Sequence, residues 1–314
     1  MTVANTICSQ IRHETIRVSI LERLEDYLNI KRGGPKAVVA YDPQNDYDSA
    51  YDMPFEPFKD LCKRRFMWYY DSYLATIDRE ITTYPDGKQF EKMPFEGPGN
   101  TMDGTFKYTE LRERIENIRK KLDEETETWA VEGKEAVVKE LTIANNIQRQ
   151  FEQCVELFKK RDVPLEIELE DENPFVWNLL LFGRPMTNLD GGIFRIKLSI
   201  SPRFPDEQPR IQFLTPLFHQ RVSSTGVLCY FPQRQDELKY HVEAIVAAVE
   251  DEAPAYDPRT LVNLEAAKLF WGSTDDKKVY GRKLRRSVQD SSEYVDALLR
   301  VLHQADIPLR FRYS

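Results

Sequence analysis

The chain has 314 residues, with 44 basic and 52 acidic side chains and a net charge of −8. That length is enough for two domains with a sizeable core, and the negative balance argues against loose electrostatic binding to nucleic acid or an anionic membrane. Four scattered cysteines and four histidines, with no CxxC pair, exclude a disulfide framework and give no metal-ligand spacing. No run of about 18 apolar residues occurs and the start has no basic-then-apolar leader, so the chain reads as soluble, cytoplasmic and/or nuclear, with no membrane and no nucleic-acid partner.

Residues 6–29 place Ile7, Ile11, Val18, Leu21, Leu24 and Leu28 at mostly helical intervals, before a basic, Gly-Gly-Pro stop at 31–35. Proline and aspartate punctuate 41–57 too densely for regular structure, which predicts an exposed loop. A second helix is expected over 57–81, with Phe66, Trp68, Tyr69, Tyr70 and Tyr73 on an aromatic face that reads as core, a partner-binding stripe being the competing reading. After a glycine- and proline-rich loop at 84–105, Leu111, Ile115, Ile118 and Leu122 mark a third helix at 108–128. These three helices are expected to form a bundle; Cys8 and Cys62 on them, and Cys154 in the second half, lie on apolar faces and read as core residues. The acidic excess is concentrated in this half, and a polar joint near Glu132-Gly-Lys-Glu135 suggests a division into 1–132 and 133–314.

The second part changes character. A helix at 137–160 precedes strand signals at 165–170, 176–182, 193–200 and 210–214, and helical patterns follow at 238–250, 260–270 and 277–303. Helix, a run of antiparallel strands and then helices is an α+β order. Cys229 sits in Thr225-Gly-Val-Leu-Cys-Tyr-Phe-Pro232, flanked by apolar residues, and taken alone it reads as a small buried hydrophobe.

Its context changes that reading. The series Trp177-Asn-Leu-Leu-Leu-Phe-Gly183, Leu189-Asp-Gly-Gly-Ile-Phe194, Phe204-Pro205, Gln208-Pro209, Leu217-Phe-His219 and Gly226-Val-Leu-Cys229 resembles the ubiquitin-conjugating enzymes (E2) over roughly 137–305. Their reactive cysteine also stands ten residues after the histidine of a His-Pro-Asn element. Asp257-Pro258, Leu261, Asn263, Glu265-Ala266-Ala267 and Tyr280 resemble the family's segment beyond the crossover helix. The resemblance implies a UBC-like domain, with an N-terminal helix, a four-stranded antiparallel sheet and C-terminal helices, preceded here by a helical domain.

It further implies that Cys229 carries ubiquitin or a ubiquitin-like modifier as a thioester, received from an activating enzyme and passed to an amine. Asp257, at the family's acidic gate position, would orient the incoming lysine; an Asp-Pro helix start is the competing reading for that residue. Arg221, or backbone beside it, would support the oxyanion, and His219, Gln220 and Gly226 would support the motif. No metal and no cofactor is implied. A ligase or substrate protein is a further expected partner.

Several positions depart from the family. His-Pro-Asn reads His219-Gln220-Arg221, and the interval from Cys229 to Asp257 lacks the family's tryptophan and Ser-Pro-Ala loop, carrying the polar Pro232-Gln-Arg-Gln-Asp-Glu-Leu238 instead. Asp206 replaces an aromatic of the proline turn, and the first helix offers only Lys139 and Arg149 near its start. The first change falls on the element linked to oxyanion support and loop order, and the others on the surfaces that dock ligases and the activating enzyme. A non-catalytic E2 variant acting as a scaffold is therefore the rival reading. The position of the sulfur separates the two: a Cys229 sulfur exposed in a groove beside Asp257 favours catalysis, and burial under Tyr230 or Phe231 counts heavily against it.

The first half has its own resemblance. Cys8-Ser-Gln-Ile-Arg-His-Glu-Thr-Ile-Arg-Val18, Phe66-Met-Trp-Tyr-Tyr-Asp-Ser-Tyr73 and Phe106-Lys-Tyr-Thr-Glu-Leu111 are similar to the C-terminal extension of the ubiquitin-conjugating enzyme Z subfamily. There the extension follows a conjugating domain and here it precedes one. A tandem ancestor is the economical inference, its upstream conjugating domain lost or lying outside this chain.

Overall fold

Strict alternation in Leu165-Glu-Ile-Glu-Leu-Glu170 makes strand β1, whose glutamates face outward while Ile167 turns to the core. It opens the four-stranded antiparallel sheet of the computed structural model, which describes residues 3–31, 58–92, 96–97, 103–161 and 163–304. The other strands are β2 (Asn173–Phe182), β3 (Ile193–Ser199) and β4 (Arg210–Phe213), in the spatial order β1-β2-β3-β4. Register is fixed by pairs such as Leu179 with Ile196 and Leu198 with Ile211.

The helices are α1 (Val3–Glu14), continued by a π-helical stretch Thr15–Glu22 into α2 (Arg23–Tyr27), then α3 (Lys59–Ile81), α4 (Tyr108–Val138) and α5 (Thr142–Lys160). Beyond the sheet come α6 (Leu238–Glu250), a 3-10 turn at Pro258–Thr260, α7 (Leu264–Phe270) and α8 (Thr274–Gln304). This is the α+β arrangement expected of a UBC-like domain preceded by helices. The predicted loop at 41–57 and the 32–35 part of the first helix stop lie outside the described residues.

The chain divides into two compact units, residues 1–124 and 125–314. In the first, Leu21, Leu24, Phe66, Trp68, Ile77, Leu111, Ile115 and Ile118 are buried. Ser9 donates to Glu80 at 2.9 Å and Arg114 forks onto Glu25 at 2.7 and 2.9 Å, tying the three helical segments together. His13 lies edge-on to Phe90, Phe106 and Tyr108, and its Nε2 accepts the Lys107 N–H at 3.0 Å.

Several expectations for this unit need correction. Ile11 is exposed because α1 buries Thr6, Ser9, Gln10 and His13 instead, and Val18 because the π stretch spaces the buried positions five apart, from Ile16 to Leu21. Of the aromatic stripe only Phe66 and Trp68 are fully buried; Tyr69, Tyr70 and Tyr73 are half-buried, with the Arg119 guanidinium over the Tyr70 ring. Cys8 is exposed and Cys62 half-buried, leaving Cys154, in the second unit, as the one of these three inside a core.

The polar segment at 132–135 lies inside a helix. Helix α4 runs through it to Val138, and Gly133 is there because a Cβ would come within 2.6 Å of the Phe175 ring. The break comes later, at Glu140, whose φ of 52° forces the turn into α5. Val138 and Leu141 are consequently exposed rather than part of the α5 apolar face.

In the second unit α5 lays Ile147, Cys154 and Phe158 on the sheet, with Phe151 edge-on to Trp177 at 5.4 Å. Trp177, Leu179, Leu181, Phe194, Ile196 and Leu198 form the sheet's contribution to the core. Helix α6 completes it with Leu238, Val242, Ile245 and Val249.

Candidate functional site

The segment 219–229, after β4, folds into a short hairpin-like flap without a named strand. Val222 bridges both His219 and Leu228, Ser223 N donates to Val227 O at 3.0 Å, and Cys229 N donates to Arg221 O at 2.9 Å. Gly226 makes its turn at φ 83°, and a Cβ there would meet Phe213 O at 2.3 Å. Only glycine serves both the dihedral and the close approach.

Behind the flap, polar contacts hold the histidine element. His219 is buried, and its Nδ1 accepts the Arg221 N–H at 3.2 Å. Burial, reinforced by the Arg221 charge, pushes its pKa down from 6.5 to about 3, so the ring is neutral and too weakly basic to act as a proton acceptor near neutrality. Gln220 O accepts the Asn263 N–H at 3.3 Å and Gln220 Oε1 accepts the Tyr280 hydroxyl at 2.6 Å. Asn263 caps α7 through Ala266 N and donates Nδ2 to Val222 O at 3.2 Å. The resemblance singled out Asn263 and Tyr280, and they serve here as the anchors of the flap.

Cys229 is 0% exposed. Its thiol donates to the carbonyl of Arg259 at 3.6 Å, so the segment around the 3-10 turn Pro258–Thr260 lies on the sulfur. Arg221, Cys229 and Asp257 are thus gathered in one neighbourhood, but the sulfur is covered rather than open in a groove. Asp257 is the N-cap of the 3-10 turn, accepting Arg259 N at 2.9 Å, which is the helix-start role weighed against a functional one.

The Arg259 side chain returns onto the same carboxylate, with Nε at 3.0 and 3.1 Å and Nη2 at 2.7 Å. This hydrogen bonding, assisted by the charges of Arg259 and Arg221, brings the Asp257 pKa down from 3.8 to about 2. Asp257 is therefore a carboxylate that can accept a hydrogen bond or orient a cation but holds no proton near neutrality. Among the described residues, the Arg221 guanidinium makes no hydrogen bond or ion pair, and it remains available as a donor beside the cysteine.

Arg259 itself is the residue that sequence reasoning passed over. Its guanidinium lies 5.8 Å from the centroid of the Phe231 ring, and Phe231 and Tyr256 are exposed. A basic residue two places after an N-cap aspartate was the available signal.

An α+β domain with this flap, cysteine and downstream Asp-Pro turn is a UBC-like domain. A family model described as ubiquitin-conjugating enzyme matches residues 146–287. The chain is 30% identical over 135 residues to ubiquitin-conjugating enzyme E2 3 of Arabidopsis thaliana, covering 42% of this chain and 88% of that protein. It is 28% identical over 137 residues to ubiquitin-conjugating enzyme E2 2 of Saccharomyces cerevisiae, covering 43% of this chain and 78% of that protein. The counterpart from Eremothecium gossypii is 28% identical over 137 residues, with 43% and 79% covered. The chain belongs to the ubiquitin-conjugating enzyme family, and the matched residues lie within its second unit. Among the described residues no helix is long and apolar enough to cross a membrane.

Proposed function

We propose that the chain acts as an E2-type carrier, holding ubiquitin or a related modifier as a thioester on Cys229 once the segment over the sulfur has moved. The observation that carries this reading is the juxtaposition of Cys229 with Arg221 and the Asp257–Arg259 segment: the Cys229 N–H on Arg221 O and the Cys229 thiol on Arg259 O. In the loading step the Cys229 thiolate attacks the carbonyl of the activating enzyme's thioester. A new C–S bond forms as the old one breaks and the donor leaves as a thiolate, an exchange of like bonds. In the transfer step a neutral lysine amine attacks, a C–N bond forms as the C–S bond breaks, the Cys229 sulfur leaves as a thiolate, and the proton lost from nitrogen passes to solvent. Arg221 is placed to donate to the developing oxyanion, and Asp257 to accept from and orient the amine.

The partners of this reading are the modifier, an activating enzyme, and a substrate or ligase, in the cytoplasm and/or nucleus. The first unit is then an extension related to the Z subfamily's, with 1–132 and 133–314 as the functional division. The second reading, a scaffold whose cysteine is not charged, is favoured by one specific observation: the complete burial of Cys229.

Incubation of the whole chain with activating enzyme, ATP and ubiquitin, followed by non-reducing electrophoresis, separates them. A thiol-sensitive adduct, replaced in Cys229→Ser by a more stable ester or by nothing, supports the carrier. Failure across several activating enzymes and modifiers, with retained binding of a conjugation partner, establishes the scaffold instead.

A further inference from the structure

We propose that Arg259 is a positioning residue that holds the Asp257–Thr260 segment over Cys229 and occupies the Asp257 carboxylate until a cationic amine acceptor displaces it. The second half of this rests on the carrier reading; the first half does not.

Three contacts carry the inference, and all converge on one residue. The Arg259 carbonyl takes the thiol proton of Cys229 as a hydrogen bond, which a thiolate could not supply, so the closed segment favours the unreactive form of the sulfur. The Arg259 guanidinium lies over Phe231, two residues beyond Cys229, tying the segment to the stretch of chain that bears the cysteine. The same guanidinium forks onto both oxygens of Asp257, which fixes the planar group in place.

The chemistry of that fork points to what opens it. Asp257 offers its carboxylate to a cation beside Cys229, and Arg259 is a cation of the same chain already seated there. A lysine ammonium approaching the thioester is the group that competes for this seat, so arrival of the acceptor and release of the cover are one exchange. The pair is solvent-facing, with the Arg259 side chain 65% and Asp257 26% exposed, which makes it exchangeable rather than permanent.

Alkylation of the full chain with iodoacetamide, read cysteine by cysteine by peptide mass mapping, tests the cover without any enzymatic step. Arg259→Ala is expected to speed labelling of Cys229 by about fivefold or more while leaving the buried Cys154 at its original slow rate. Arg259→Lys, which keeps a cation near Asp257, is expected to restore most of the protection. An unchanged Cys229 rate in Arg259→Ala overturns the proposal. So does a parallel rise at Cys154, which would mean general loosening, or a failure of Arg259→Lys to protect.

Single-turnover discharge of the charged protein to free lysine tests the acceptor half. Removal of the internal competitor in Arg259→Ala should lower the apparent KM for lysine several-fold with kcat little changed, and an unchanged or raised KM refutes it. A chain that no activating enzyme can charge sinks the carrier reading and the acceptor half together, whereas the labelling result still decides the cover.

Discussion

Replacing Tyr280 by phenylalanine deletes one oxygen and no carbon, yet it should measurably weaken the second unit. The hydroxyl donates to Gln220 Oε1 at 2.6 Å, and both residues are buried. Gln220 Nε2 already lacks a partner among the described residues, so loss of this bond strands the whole side-chain amide. A buried neutral hydrogen bond contributes about 1 kcal/mol net, and an unsatisfied buried amide costs about 1–3 kcal/mol, which places the loss at about 1.5–3 kcal/mol. For a unit of this size that corresponds to a fall in Tm of about 4–10 °C. Hydrogen exchange of the β2 and β3 amides under sub-denaturing urea reads the opening free energy of this unit directly. A double-mutant cycle with Gln220→Met should show a coupling of about 1–2 kcal/mol. A change below about 0.5 kcal/mol, or additive single effects, would refute the claim that this contact anchors the flap.

Further outcomes follow from the same geometry. His219 has its pKa lowered from 6.5 to about 3, so the unfolded chain takes up a proton that the folded chain refuses. The associated stability is fully present above 6.5 and is lost as the pH falls from there toward 3, by about 2 kcal/mol at pH 5. Urea unfolding at pH 7 and 5 should show this loss in the native chain and a flatter profile in His219→Asn; equal slopes would refute it. Gly226→Ala should cost about 2–4 kcal/mol, from a positive φ and a Cβ driven into Phe213 O, and hydrogen exchange at 219–229 should rise with it; a loss under about 1 kcal/mol would show that the turn relaxes freely. In the first unit, His13→Leu leaves the Lys107 N–H without its acceptor and should raise hydrogen exchange in residues 108–124 by about 1–3 kcal/mol of lost protection, whereas unchanged exchange would show that water replaces the ring.

The order of elements is legible in the residue pattern because it depends on local periodicity. β1 falls at 165–170 and α6 at 238–250, where the alternation and the helical spacing put them. The motif series from Trp177 to Cys229 likewise located the cysteine flap, and the Asp257-Pro258 pair marked the turn that lies against it. Local pattern failed where backbone geometry or a distant partner intervened. The π stretch rotated the face of the first helix, and the Phe175 ring that leaves room only for a glycine at 133 is 42 residues away.

The sequence by itself determined the fold class and the family. Whether the Cys229 thiol is open was decided by tertiary structure alone. Nothing in Thr225–Pro232 encodes a carbonyl 30 residues downstream, yet the Arg259 carbonyl accepts the Cys229 thiol and Asn263 at the start of α7 is bonded to the flap at Val222. A cysteine's accessibility depends on what long-range folding lays on top of it, and no local pattern carries that information.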